Sequence, residues 1–372
     1  MKKGISVLLF TFLLLSVFCV YAFAGNGDTN SDGNTYSYSD LCDGLTDETV
    51  EMLKGLGIDE LSFEDLFSVT PTKIFDLLFS LFGKSLKEPV KYFFYSLGIY
   101  MIFSLLNSFG ADNKALSLIS VSSSTLVLAV PVTRLVTESF SVINAVANYN
   151  TVISGVLCGL ISASGGVVSG ASYSVLTVFF FNVISKICEA VSKPVVNGLC
   201  FFSFMSCFNI FDVKAKITEL IKKVYIWFLG ICGTLFSGVL SLKTVLSSSA
   251  DSVSVRSVKF LLGKSLPLVG GVVSDSCTAI LASVIVLKNT VGVFGIISIV
   301  ITVLPVILKM LSWLLSLSLL EITGEMLSFD EINKSVSVFK SAITLLLATV
   351  IFVSAVFIVC VGLMLMFSKN GA

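Results

Sequence analysis

Histidine is absent from this 372-residue sequence, and charged residues make up only 13% of it. The first absence removes the commonest general base and the commonest neutral metal ligand, which argues against triad hydrolases and most zinc enzymes. The second separates the chain from soluble domains, where about a quarter of residues are charged. There is no excess of positive charge for nucleic acid either, since 24 basic side chains are matched by 24 acidic ones. The 9 cysteines stand singly, Cys19 near the start, Cys42 in an acidic region and the rest in or near apolar segments. With no C-x-x-C pair, neither a disulfide framework nor a thiolate metal site has support.

What is present is apolar: 55% hydrophobic residues and a mean hydropathy of +0.98. A spanning helix needs about 20 mostly apolar residues, and residues 92–109, 116–136, 172–188, 224–242, 291–320 and 342–367 qualify. The stretch 291–320 is long for one crossing and is interrupted by Pro305 and Lys309, so it reads as one kinked helix or two elements. Segments 151–169, 194–211 and 265–287 are apolar but broken by Gly, Pro, Ser or a charge, which suggests re-entrant or half-crossing helices. The expected fold is therefore all-α: a polytopic integral membrane helical bundle with broken or re-entrant helices and a small exported N-terminal helical region.

The first 24 residues have the layout of a secretory signal. Lys2 and Lys3 precede an apolar run, and Ala22 and Ala24 form a small-x-small cleavage site. Residues 25–44 read as a disordered acidic spacer, and 45–91 as an exported amphipathic helical region. Residues 92–372 form the multi-span domain. The N-terminal part is acidic and the remainder basic. By the positive-inside rule both the Lys214 to Lys223 segment and the Lys243 to Lys264 segment belong in the cytoplasm, yet the single span between them would put them on opposite sides.

Several short motifs invite a functional reading. Gly83-Lys84-Ser85 and Gly263-Lys264-Ser265 look like the end of a phosphate-binding loop, but Leu78 and Val258 occupy the position of its first glycine. Gly155 with Gly159, and Gly166 with Gly170, have the spacing that lets helix backbones approach closely. Gly-Gly-Val-Val-Ser occurs twice, starting at Gly165-Gly166 and at Gly270-Gly271; these glycines are candidate helix breaks. Asp275 and Lys288, with Arg256 and Lys259 upstream, form a candidate polar pathway, because ionisable groups in a membrane are costly and often functional. The alternative is that Asp275 and Lys288 sit at the two interfaces of one short helix and snorkel outward. Lys186, Glu189 and Lys193 read as an interfacial cluster, and Glu321 with Glu325 as part of an exposed loop before Ser328. No motif joins a nucleophile, a base and an orienting group, so no enzyme, cofactor or metal is expected.

The order Val255-Arg256-Ser257-Val258-Lys259-Phe260, Gly263, Leu266-Pro267-Leu268-Val269-Gly270, Ser274-Asp275, Leu287-Lys288-Asn289, Gly292 and Gly295, with Ser162-Ala163-Ser164-Gly165-Gly166 in mid-chain, resembles the stage III sporulation protein AE family. Leu266 and Leu268 depart from the mostly β-branched neighbours expected around Pro267. The resemblance implies an endospore-forming bacterium and a multi-pass protein of the mother-cell membrane surrounding the forespore, with residues 25–91 extracytoplasmic. It implies membership of a secretion-like channel or feeding-tube complex. The implied partners are other stage III sporulation membrane and ring proteins, a secretion-type ATPase and a forespore docking protein, alongside membrane lipid and without nucleic acid. Two other functions remain open on the residues alone: a stand-alone secondary transporter or permease, and a non-conducting membrane scaffold for assembly.

Overall fold

The computed structural model describes residues 38–58, 71–108, 114–164, 167–205, 217–239, 270–327 and 330–366. The leader with Ala22 and Ala24, and Gly165, Gly166, Arg256 and Lys259, lie outside the described residues. All regular structure among the described residues is helical: α1 (Tyr38–Cys42), α2 (Asp47–Leu56), α3 (Pro71–Ser108), α4 (Lys114–Ala163) and α5 (Val167–Met205). Then follow α6 (Ile217–Val239), α7 (Gly270–Met326) and α8 (Asp330–Met366).

The small helix α2 shows local sequence control clearly. Asp47 and Glu48 sit in its first turn, where the macrodipole favours anions. Thr49, Leu53 and Leu56 recur at helical spacing and are the buried residues. Gly57, at φ +89°, ends the helix in the left-handed conformation that a residue without Cβ adopts at little cost. Its N–H bonds the carbonyl of Lys54 at 2.9 Å, and that of Ile58 bonds the carbonyl of Leu53 at 3.1 Å.

Six helices, α3 to α8, are long and apolar enough to cross a membrane. α7 and α8 form the centre, with most of their apolar stretches buried inside the bundle. They run antiparallel, as the pairings Lys288 with Leu365, Glu321 with Lys340 and Gly324 with Asn333 require. α4 lies parallel to α8, with Thr125 beside Ser335 and Tyr149 stacked on Phe357. α5 runs antiparallel to α8, with Phe181 against Phe357 and Ser203 bonded to Ser335. α6 is held to α8 by Lys222 with Ser341 and by Tyr225 with Thr349.

Polar residues survive in these helices largely because their hydroxyls bond back to the preceding turn. Thr302, Ser312, Ser341, Thr349 and Ser354 each donate to the carbonyl four residues earlier. Each hydroxyl is thereby satisfied without water, as an apolar surrounding demands.

Of the segments expected to break, 151–169 contains the end of α4 and the start of α5, and the described parts of the other two are helical. Residues 151–163 complete the 50-residue α4, and Pro194 stands inside the 39-residue α5. Residues 270–287 open the 57-residue α7, which passes Pro305 without interruption, so 291–320 is one helix. Gly270 and Gly271 are its first residues, and those before them lie outside the described residues. A membrane helix tolerates proline when neighbouring helices re-satisfy the freed backbone. α3 likewise runs through residue 91, so no helix boundary separates the region expected to be exported from the first span. Gly83 to Ser85 lie mid-helix in α3, which rules out a phosphate loop there.

Glycine spacing has unequal consequences. A Cβ on Gly170 would stand 2.9 Å from the backbone oxygen of Cys158, whereas one on Gly155 would meet nothing within 4 Å. Gly170 is therefore where α5 comes close to α4. In detergent-purified protein Gly170→Ala should lower the Tm, with an overpacking cost of about 1–3 kcal/mol. Gly155→Ala should leave it unchanged or slightly raised. Equal losses would show that close approach is not what Gly170 provides.

Candidate functional site

At 1.5 Å per residue, α7 is about 85 Å long and α4 about 75 Å, against a hydrocarbon core of about 30 Å. Charge divides these rods. On α7 no charged residue lies between Lys288 and Lys309, a rise of about 30 Å. On α8 the uncharged run is Ser341 to Met366; α4 has one at 115–133, on the far side of Arg134 and Glu138, and another at Ser139 to Ala163, which lies beside those of α7 and α8. Together the three adjacent runs define an apolar slab one bilayer thick.

One border of the slab is a belt of charge. The Lys309 ammonium donates to both carboxylate oxygens of Glu138, at 2.9 and 2.8 Å, and lies 3.1 Å from Glu88. One cation thus ties α7 to α4 and α3. Near the same level Lys186 pairs with Glu189 at 3.1 Å, Lys193 pairs with the other oxygen of Glu189, and the Lys193 ammonium lies 5.1 Å from the centre of the Phe140 ring. The cluster expected at an interface is thus a set of ion pairs within α5.

Four prolines gather at this belt. Pro89 follows Glu88, Pro194 follows Lys193, Pro305 precedes Lys309 by one turn and Pro131 precedes Glu138 by two. The Ser316 hydroxyl donates to the carbonyl of Pro89 at 3.0 Å, and Tyr92 packs on Trp313 with ring centres 5.7 Å apart. Beyond the belt α3 exposes Phe94, Tyr95, Met101 and Leu105.

The other border holds Lys288, which is fully buried and donates to the carbonyl of Leu365 at 2.7 Å. A cation at a helix C-terminus satisfies an orphan carbonyl and complements the dipole. Lys288 thereby clamps α7 to the last turn of α8. Asp275 lies in the first turns of α7, its side chain outside the described residues. Of Arg256, Lys259, Asp275 and Lys288, the described side chains include Lys288 alone. Glu321, expected in a loop, belongs to helix α7 and bonds Lys340 at 2.5 Å.

Sequence reasoning missed the partners of Lys309, because Glu88 and Glu138 are remote along the chain. It also passed over Asn150, which is fully buried inside the slab with neither amide atom hydrogen-bonded among the described residues. An Asn within a run of Ala, Val, Ile and Ser was the available signal. No group of three His, Cys, Asp or Glu side chains able to hold a metal occurs among the described residues.

Two outcomes follow for stability. Lys309→Met leaves two carboxylates facing each other, and at their partial burial the loss should be about 1–3 kcal/mol, between exposed and buried pairs. Adding Glu88→Gln and Glu138→Gln should recover most of the Tm, and a triple variant no better than Lys309→Met would remove the node from the account. Lys288→Met should lower Tm and membrane level by unbonding a buried carbonyl, at a cost of about 1–3 kcal/mol, whereas Lys288→Arg should retain much of both. Unchanged stability in Lys288→Met would contradict the clamp.

Comparison with known proteins bears on this architecture. The sequence profile described as Stage III sporulation protein AE (spore_III_AE) matches residues 58–368, which takes in the slab, the belt and every long helix. A relative named Stage III sporulation protein AE, from Bacillus subtilis (strain 168), is 27% identical over 221 residues, 57% of this chain and 55% of the relative. The match thus spans about half the length of that relative. No solved structure matches the chain. The chain belongs to the stage III sporulation protein AE family.

Proposed function

We propose that this protein is a non-enzymatic membrane component of the multiprotein channel that joins mother cell and forespore, a secretion-like or feeding-tube complex required for endospore development. Family membership over residues 58–368 carries the reading, since it makes the chain a sporulation protein. The height of the bundle supports the multiprotein part. Apolar surface on α3 continues beyond the charged belt through Phe94, Met101 and Leu105, and one bilayer about 30 Å thick cannot cover both this surface and the slab. Large exposed apolar surfaces outside lipid mark protein contacts.

In this reading the protein resides in the mother-cell membrane around the forespore, with residues 25–91 reached from the extracytoplasmic side. Other stage III membrane and ring proteins, a secretion-type ATPase and a forespore docking protein are its partners. The scaffold alternative draws on one specific observation. Lys309, Lys288 and Lys340 are each engaged in holding two or three helices together, a use of charge that needs no conduction. A stand-alone transporter has no comparable support.

The test uses a tagged full-length copy as the sole source of the protein in an endospore former. Cross-linking before membrane solubilisation is expected to recover the ring proteins and the ATPase with it, and deletion is expected to abolish late forespore gene activity. Full forespore activity in a strain lacking the ATPase would sink the channel reading and leave a transporter acting alone.

A further inference from the structure

Between α4 and α5 a groove of about 710 Å³ opens on the outer surface of the bundle. Thr151 lines it from α4, and Val175, Val178, Phe179, Val183 and Lys186 line it from α5. Polar groups of the lining turn back onto their own helices: the Thr151 hydroxyl donates to the carbonyl of Ala147 at 3.3 Å, and the Asn182 amide to that of Val178 at 2.8 Å. The surface left to the groove is mostly apolar, and Val175 and Phe179 are exposed along it. Its length from Lys186 to Ser174 is about 18 Å along α5, against about 15 Å for one leaflet's half of the hydrocarbon core. Its volume is that of a small-molecule site.

Charge stands at one end of this groove. Lys186 is the one charged residue among the described lining, and it lies seven residues before Lys193, about 10 Å along the helix. With Lys193 over the ring of Phe140 and Gly170 beside Cys158, α5 runs antiparallel to α4, so those 10 Å lead from the belt into the slab. The Lys186 side chain is nonetheless 70% exposed. Its described partner is Glu189, and the same carboxylate also pairs with Lys193. Two ammonium groups share one carboxylate, which leaves one positive charge unneutralised by the described ion pairs. Glu138, two residues from Phe140, is already held by Lys309. A spare ammonium exposed beside acyl chains is costly unless an anion meets it, and snorkelling relieves it only as far as the side chain reaches.

We infer that the α4–α5 groove is a binding site for one anionic phospholipid, its phosphate on the Lys186 ammonium and an acyl chain laid along Val183, Phe179 and Val175. Charge complementarity selects this occupant. The groove offers one spare cation at its belt end and a trough about one leaflet long beyond it, and a phospholipid of single negative charge matches both. A zwitterionic phospholipid would bring a cation of its own toward Lys186 and Lys193. The site is independent of the channel reading. Lipid bound there neutralises the spare charge and fixes the level of the belt against the headgroup layer.

The test uses full-length protein purified in mild detergent and supplied with micelles containing phosphatidylglycerol or phosphatidylcholine. Native mass spectrometry counts the lipid retained, and the Tm reports its effect. Phosphatidylglycerol should be retained and should raise the Tm, and phosphatidylcholine should do neither to the same extent. Lys186→Gln should weaken phosphatidylglycerol binding about fivefold, the worth of one lysine near an anionic headgroup, whereas Lys186→Arg should keep it. Val178→Trp, which fills the groove and leaves every charge in place, should also cut retention several-fold. Lys223→Gln, at an exposed lysine of α6, should change nothing. Each variant's Tm without added lipid separates lost binding from lost folding. Equal retention of the two lipids, or undiminished retention in Lys186→Gln, would overturn the site. An equal loss in Lys223→Gln would overturn it by making the binding a diffuse attraction to surface lysines. Retention untouched by Val178→Trp would take the acyl chain out of the groove, and stabilisation by inorganic phosphate equal to that by lipid would make the site one for a free anion; either result overturns the proposal. A protein that co-purifies at one copy per chain and excludes both lipids would overturn it too.

Discussion

The bond of Lys309 to Glu138 and Glu88 is the constraint from which the bundle's layout follows. Two other helices supply the anions that meet this ammonium of the apolar α7. Meeting it fixes the register of α4 and α3 against α7, and through α4 the positions of Thr125 and Tyr149 on α8. The belt also marks where uncharged helix begins and ends. Removing the cation would therefore disturb three helices, whereas replacing one carboxylate leaves the other in place.

Proline acquires its role from the same belt. Pro89, Pro131, Pro194 and Pro305 each remove a hydrogen bond from a helix that otherwise runs unbroken. Placed deep in acyl chains, four freed carbonyls would be expensive. Gathered within two turns of the ion pairs, they lie where neighbouring charges raise the local polarity.

Much of the fold was legible in the sequence, because apolar length alone identifies spanning helices and excludes soluble α/β architectures. Continuity was not. Pro194 looks like a break when only local propensity is considered, yet α5 runs through it. The partners of charges were hidden for the same reason. Glu321 looked like a loop residue because its partner Lys340 lies on the next helix, and Lys288 looked like a pathway residue or an interfacial anchor because nothing local points to the carbonyl of Leu365. A lysine's distance to its partner depends on helix register, which hydropathy does not encode. The amphipathic character of α2 was visible in its spacing, but its docking beside Thr302 was not.

That docking changes what scarcity of charge means in this protein. A chain with 13% charged residues can be a lipid-filled bundle throughout, and the buried centre of α7 and α8 fits that description. Yet the sequence places its exposed acids in a short helix, and the fold carries this helix against the flank of its most apolar region. Hydrophobic burial of Leu53, Leu56 and Ile58 holds α2 there, so the position is set by apolar packing and its charged outer face comes along with it.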